Sequence, residues 1–161
     1  MITFTLLDKT QREQWLPLMF DLLYGNMHGI APGGLCYNRE KGEFLTELCD
    51  ALEKAPRQIL MCLLDGKLIG YLQYYTRDDL LMIEEIQLRK EFQRTTLFYS
   101  ICKHLLRILP GGIAWVEAYA DRRNTHSQQL MQKLGMENIA PDDALFLHFR
   151  GSADRFLHYF Q

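Results

Sequence analysis

The sequence predicts a mixed α/β domain over residues 1–161, built on one sheet that is antiparallel early and partly parallel later. Three observations predict it. Apolar residues recur at helical spacing early in the chain. Three runs of strand character then follow one another through short polar turns between residues 58 and 88. Beyond residue 113, strand and helix patterns alternate.

Residues 2–7 (ITFTLL) read as a first strand. Thr10 is expected to cap a helix that carries Trp15, Leu16, Leu18, Met19, Leu22 and Leu23 on one broad face. The glycine-rich passage 25–34 (GNMHGIAPGG) reads as a loop. A second helix is expected over 40–52, with Phe44, Leu45, Leu48 and Leu52 at helical spacing. After Pro56 the apolar run 58–64 reads as strand, and Asp65-Gly66 is a strong hairpin signal. Residues 67–76 return as a second strand of this meander. Arg77-Asp78-Asp79 then turns the chain into a third, 80–88. A helix over 95–109 is stopped by Pro110-Gly111-Gly112, and 113–120 is another strand. The helix 124–134 ends at Gly135, and 144–149 is a late strand. Residues 155–160 fit either a strand or a short terminal helix.

Bulk properties narrow the function classes. A chain of 161 residues buries a sizeable core, and 48% hydrophobic with 24% charged residues argues against disorder. A net charge of −2 with no basic stripe argues against nucleic acid as a partner. No apolar run approaches the ~20 residues of a membrane span. The start, MITFTLLDKT, lacks the features of a secretory signal, so no membrane partner is expected and the cytoplasm is the expected compartment. Cys36, Cys49, Cys62 and Cys102 form no C-x-x-C pair and are expected as reduced structural thiols. Histidines 28, 104, 126, 148 and 158 show no ligand spacing, so no metal is expected.

The stretch 80–106 carries the chemistry: a buried strand, a basic turn, then an apolar-rich helix. Unpaired N–H groups at the start of such a helix, together with its dipole, bind phosphate. Arg89, Lys90 and Arg94 add positive charge, yet the turn has no glycine to bring phosphate close to the backbone. Within the strand lie Glu84 and Glu85. Strict alternation places them on opposite faces, Glu84 with Ile86 and Leu88, Glu85 with Ile83 and Gln87. A desolvated glutamate has a raised pKa and suits a general base; the structural alternative is an ion-paired strand carboxylate. The irregular segment 26–35, with Met27 and His28, is long enough to gate a pocket.

These features together resemble the acetyl-CoA-dependent N-acetyltransferase superfamily called GNAT, over nearly the whole chain. The segment Ile83-Glu84-Glu85-Ile86-Gln87-Leu88 is similar to the family's central strand. Lys90-Glu91-Phe92-Gln93-Arg94 is similar to the run that opens its pyrophosphate loop. Residues 124–136 (NTHSQQLMQKLGM) match its pattern of Asn, an amphipathic helix, then Lys-Leu-Gly before an apolar residue. The resemblance implies a mostly antiparallel sheet of about six or seven strands flanked by helices on both faces. It also implies acetyl-CoA as co-substrate and direct attack by a primary amine within a ternary complex. By the resemblance, Glu84 or Glu85 is the base, and backbone groups of Ile86 and Leu88 bind the acetyl-pantetheine arm. Residues Gln93, Arg94, Thr95, Thr96 and Leu97 present the turn to the pyrophosphate, and Asn124 reaches the pantetheine, with a helix N-cap as its structural alternative.

Two positions depart from the family pattern. Where its loop reads roughly Gln/Arg-x-x-Gly-x-Gly/Ala, this chain has Gln93, Thr96 and Phe98. Phe98 either points into the core or fills part of the pyrophosphate site. Seven residues after Asn124, where many members carry a proton-donating tyrosine, stands Met131, which packs against pantetheine but donates nothing. Tyr119 and His126 are the candidate substitute acids, and Tyr71, Tyr74, Tyr75 and Trp115 read as sheet packing. The departures support a second reading, a binding or regulatory module of the same fold without turnover. The acceptor, a small-molecule or peptide amine, is not specified by these residues. A sheet edge or the apolar tail 156–160 offers a surface for a homodimer.

Overall fold

The computed structural model describes residues 1–54 and 56–161. Strands β1 (Ile2–Leu6), β2 (Gln58–Leu64), β3 (Lys67–Arg77), β4 (Leu80–Leu88), β5 (Trp115–Asp121), β6 (Glu137–Asn138) and β7 (Phe146–Ser152) form one sheet. Their order is β1-β2-β3-β4-β5-β7-β6. Every neighbouring pair is antiparallel except β4 and β5, which run parallel. Asp65 and Gly66 both take positive φ, as a two-residue hairpin between the facing Leu64 and Lys67 requires.

Helices cover both faces. On one, α1 (Arg12–Met27) and α2 (Tyr37–Lys54) bury Trp15, Leu16, Met19, Leu48 and Leu52 against Ile59, Met61, Leu68 and Tyr71. On the other, α3 (Leu97–Ile108), α4 (Thr125–Lys133) and α5 (Ala153–Tyr159) pack against Leu60, Leu72, Leu81, Val116 and Phe149. After α4 the Gly135 N–H bonds the Gln132 carbonyl and the Met136 N–H bonds that of Met131, a Schellman stop whose positive φ at Gly135 suits glycine. No helix among the described residues is long and apolar enough to cross a membrane.

Several expectations need correction. Thr10 does not cap α1. Its N–H and hydroxyl both donate to Asp8, 2.8 and 2.6 Å away, in a 3-10 turn that precedes the helix. Residues 25–27 are helical rather than loop, because α1 continues through Gly25 and ends where His28 bonds the Tyr24 carbonyl. The late strand spans β7 rather than 144–149, since its pairing with β5 runs from Phe146 opposite Asp121 to Ser152 opposite Trp115. The tail resolves to helix: Ser152 caps α5 and Phe156 and Phe160 are buried.

Candidate active site

The parallel register between β4 and β5 ends at Ile83 opposite Ala118. Beyond it, β4 pairs with β3 alone, and Tyr119–Asp121 pair with β7 alone. The carboxyl ends of two parallel strands therefore separate, which is where open α/β sheets bind ligands. The separation begins at a β-bulge. Gln73 faces Glu85 and Tyr74 faces Ile83, so Glu84 is an extra residue on β4.

That extra residue overturns the alternation expected for the two glutamates. Ile83, Ile86 and Leu88 all pack into the α3-side core. Glu84 instead reaches Gln73, and Glu85 reaches Gln87, both on the α1–α2 side. Glu84 and Glu85 thus share one face, because a bulge shifts the two-residue period by one.

Their surroundings differ. The Glu84 carboxylate is gripped by Arg57, whose Nε lies 3.0 and 2.9 Å from its two oxygens, and it accepts from Gln73 Nε2 at 2.9 Å. Arg57 also lies 5.3 Å from the Tyr75 ring centroid. Glu85 has no cationic partner among the described residues and accepts from Gln87 Nε2. Burial pushes its carboxyl up to about 7, against the Gln87 hydrogen bond and with help from the Glu84 charge. Nearby Tyr71 is fully buried, its hydroxyl lacks a partner among the described residues, and burial plus the Glu85 charge hold its pKa well above the phenol range.

At the turn after β4, Lys90–Phe92 form a 3-10 turn and Thr96 precedes α3 with its side chain uncommitted to the helix start. Thr95 donates to the Phe92 carbonyl at 2.8 Å and accepts from Leu97 N–H at 3.2 Å. Helix geometry leaves the Phe98 and Tyr99 N–H groups without an intrahelical acceptor. The Phe98 ring does not fill this turn. It is 9% exposed, belongs to the α3-side core, and lies 6.0 Å from the Phe160 ring. Arg89, Lys90 and Arg94 are exposed and form no ion pair among the described residues. Gln93 turns back, donating to the Leu88 carbonyl at 3.0 Å and to Asn26 Oδ1 at 3.1 Å. Asn26 Nδ2 donates to the same carbonyl at 2.9 Å. The Leu88 carbonyl is therefore engaged twice by side chains, whereas no side chain among the described residues bonds the main chain of Ile86.

Across the fork, Asn124 caps α4 by accepting from Ser127 N–H at 3.2 Å, and its Nδ2 approaches Met27 Sδ at 3.8 Å. Met131 is half-buried against the α3-side core. Arg123 forks onto Asp121 at 2.9 and 2.8 Å, and Arg122 donates to the Ala144 carbonyl at 2.7 Å, so both arginines are structurally engaged. His126 is exposed on α4. Tyr119 stacks on His148, centroids 4.4 Å apart, and His148 Nε2 lies 2.8 Å from Glu117 Oε2.

Sequence reasoning missed Asn26 and the Glu117–His148 pair. Asn26 is concealed by its glycine neighbours, which read as loop. The pair becomes visible only once Glu117 and Tyr119 are placed opposite Arg150 and His148.

The fold has counterparts among known proteins. The model of the acetyltransferase (GNAT) family matches residues 6–136. Among solved structures, the PaiA N-acetyltransferase of Thermoplasma acidophilum in complex with coenzyme A is 16% identical, with 94% of this chain and 99% of that one covered and a TM-score of 0.71. An acetyltransferase of Thermus thermophilus gives 13%, 94%, 96% and 0.74 for the same quantities. A probable GNAT acetyltransferase of Chromobacterium violaceum gives 16%, 96%, 84% and 0.71. No curated protein sequence matches the chain.

Proposed function

This chain belongs to the acetyltransferase (GNAT) family, and from that premise we propose that it moves an acetyl group from acetyl-CoA to a primary amine, with Glu85 as general base. The observation that carries this reading is the contrast between the two carboxylates at the bulge. Glu84 is neutralised by Arg57, while Glu85 has no cationic partner among the described residues and a carboxyl pushed up to about 7. A base of that strength takes a proton from an ammonium near neutral pH and gives it up again to water.

The residues present fit acetyl-CoA. The fork is open at the carboxyl ends of β4 and β5, Phe98 is withdrawn into the core, and the start of α3 has amides without helical acceptors beside Arg89, Lys90 and Arg94. Bound there, acetyl-CoA supplies the activated acyl group. The turn Gln93–Phe98 and the flanking cations would hold its phosphates. Main-chain groups at Ile86 and the Asn124 amide would hold its pantetheine arm, with Met131 alongside. Glu85 removes the proton from the incoming amine. A main-chain N–H of β4 beyond Ile83, where pairing to β5 has ended, would suit the oxyanion. The buried Phe98 favours the enzyme over a module that has lost its cofactor site.

Thermal melting tests the cofactor part. Acetyl-CoA at a hundredfold excess over its Kd raises stability by about 2.7 kcal/mol, or about 5–10 °C for a chain of this size. Glu85→Gln should keep that shift and lose about 10²–10⁴ in acetyl transfer to a panel of primary amines. No shift at millimolar acetyl-CoA would sink the proposal.

A further inference from the structure

We propose that Asn26 and Gln87 are positioning residues that hold Glu85 in its proton-accepting state and tie it to the turn before α3. Three side-chain amides connect that turn to the carboxylate. Gln93 Nε2 donates to Asn26 Oδ1 at 3.1 Å, Asn26 Nδ2 donates to Gln87 Oε1 at 2.8 Å, and Gln87 Nε2 donates to Glu85 Oε1. Each link donates in the same direction.

The direction is imposed by one backbone atom. The Leu88 carbonyl can only accept, and it receives Asn26 Nδ2 at 2.9 Å and Gln93 Nε2 at 3.0 Å. Reversing Asn26 would set its oxygen against that carbonyl. With Asn26 so oriented, Gln87 must offer its oxygen to Asn26 and its NH₂ to Glu85. Gln87 is 6% exposed, so water has little access to replace either bond. A neutral amide donor stabilises the charged carboxylate. The other titratable neighbours of Glu85 among the described residues are Glu84 on its own strand and Tyr71 on β3. Glu84 pushes towards the protonated form, and the charge of Glu85 in turn acts on Tyr71; α1 contributes the neutral Asn26. The relay therefore opposes burial and repulsion, and keeps the carboxylate usable near neutral pH. It also joins three separate elements, because Asn26 closes α1 over the end of β4 while Gln93 opens the turn.

The catalytic meaning of this relay rests on reading Glu85 as the base, but its test does not. Carboxyl ¹³C NMR of glutamate-labelled protein, with the Glu85 signal identified by its loss in Glu85→Gln, gives the titration midpoint directly and needs neither acetyl-CoA nor an acceptor. Gln87→Met keeps the volume and removes the donor; the midpoint should rise by about one pH unit, a tenfold fall in the ratio of carboxylate to acid at fixed pH. Asn26→Ala releases Gln87 without touching Glu85 and should raise it by about half a unit. Asn26 lies at a helix end, so this variant decides the matter if Gln87→Met does not fold. Midpoints unchanged in folded variants would overturn the proposal and leave both amides a purely structural role, seen only in melting temperature. Unchanged turnover in Glu85→Gln would instead remove the base assignment and leave the relay intact.

Discussion

Replacing Phe98 by the glycine that the family carries near this position separates two accounts of the turn. The ring is 9% exposed and sits among α3-side core residues with Phe160 and Tyr99 beside it. Removing a buried phenylalanine side chain costs about 3–5 kcal/mol, the transfer of the ring plus the cavity left behind. Glycine inside a helix adds up to about 1 kcal/mol, less so close to the first turn where Phe98 stands. The sum, about 3–6 kcal/mol, lowers the melting temperature by about 6–24 °C for a domain of this length.

Cofactor binding should hardly change, since the ring faces away from the amides at the start of α3. The assay is a pair of melting curves for each protein, with and without coenzyme A, and a calorimetric Kd at a temperature where both are folded. Phe98→Leu serves as a milder control, losing about 1–2 kcal/mol because most of the buried volume remains. A Phe98→Gly variant that melts within about 2 °C of the parent (about 1 kcal/mol or less) and binds coenzyme A tenfold more tightly would refute the reasoning. That pair of results would place the ring in the turn.

Two further outcomes follow from the glutamates. The folded Glu85 carboxyl lies near 7 against an ordinary 4.5, so its contribution to stability is fully present below about pH 4.5 and is lost as the pH rises through 7. Glu85→Gln should therefore be the more stable protein at pH 8, by about 2–3 kcal/mol in urea unfolding, with the gap closing towards pH 4; a gap independent of pH contradicts a raised Glu85 carboxyl. Glu84→Gln leaves the Arg57 guanidinium half-buried without its counter-charge and should cost about 1–3 kcal/mol of stability. Its rate loss should be small beside that of Glu85→Gln, and equal losses would assign the base to neither carboxylate alone.

Much of the frame was legible because local chemistry carries it. Asp65-Gly66 can take the positive φ of a two-residue hairpin, and Lys133-Leu134-Gly135 closes α4 as a C-cap pattern should. The strand with two glutamates, the basic turn and the Asn124 cap could all be located by residue type. What escaped depends on register. A bulge is invisible in a single strand, because the extra residue exists only relative to β3, and alternation alone therefore sets Glu84 and Glu85 on opposite faces. Gly25 and Asn26 are weak helix formers, yet α1 continues through them while its Asn26 bonds Gln87 and the Leu88 carbonyl. Tertiary bonds of that kind have no local signature.

The bulge links the architecture of the site to its chemistry. Without the extra residue, β4 would keep a strict two-residue alternation past Ile83, and one of the two carboxylates would face the apolar layer under α3. Inserting Glu84 brings both carboxylates to the α1–α2 side, where burial, with a lesser push from the Glu84 charge, raises Glu85 and Arg57 is available to neutralise the other. The same insertion coincides with the end of pairing to β5. A bulged strand twists more strongly than a regular one, and a strand that twists away from a parallel neighbour opens a gap at its carboxyl end. One additional residue thus accounts both for the parting of β4 from β5 and for a carboxylate of altered strength beside it. The Asn26–Gln87 relay then has a physical reason to exist. The arrangement that raises Glu85 would, unopposed, hold it protonated, and a single backbone carbonyl at Leu88 sets the amide dipoles that counter it.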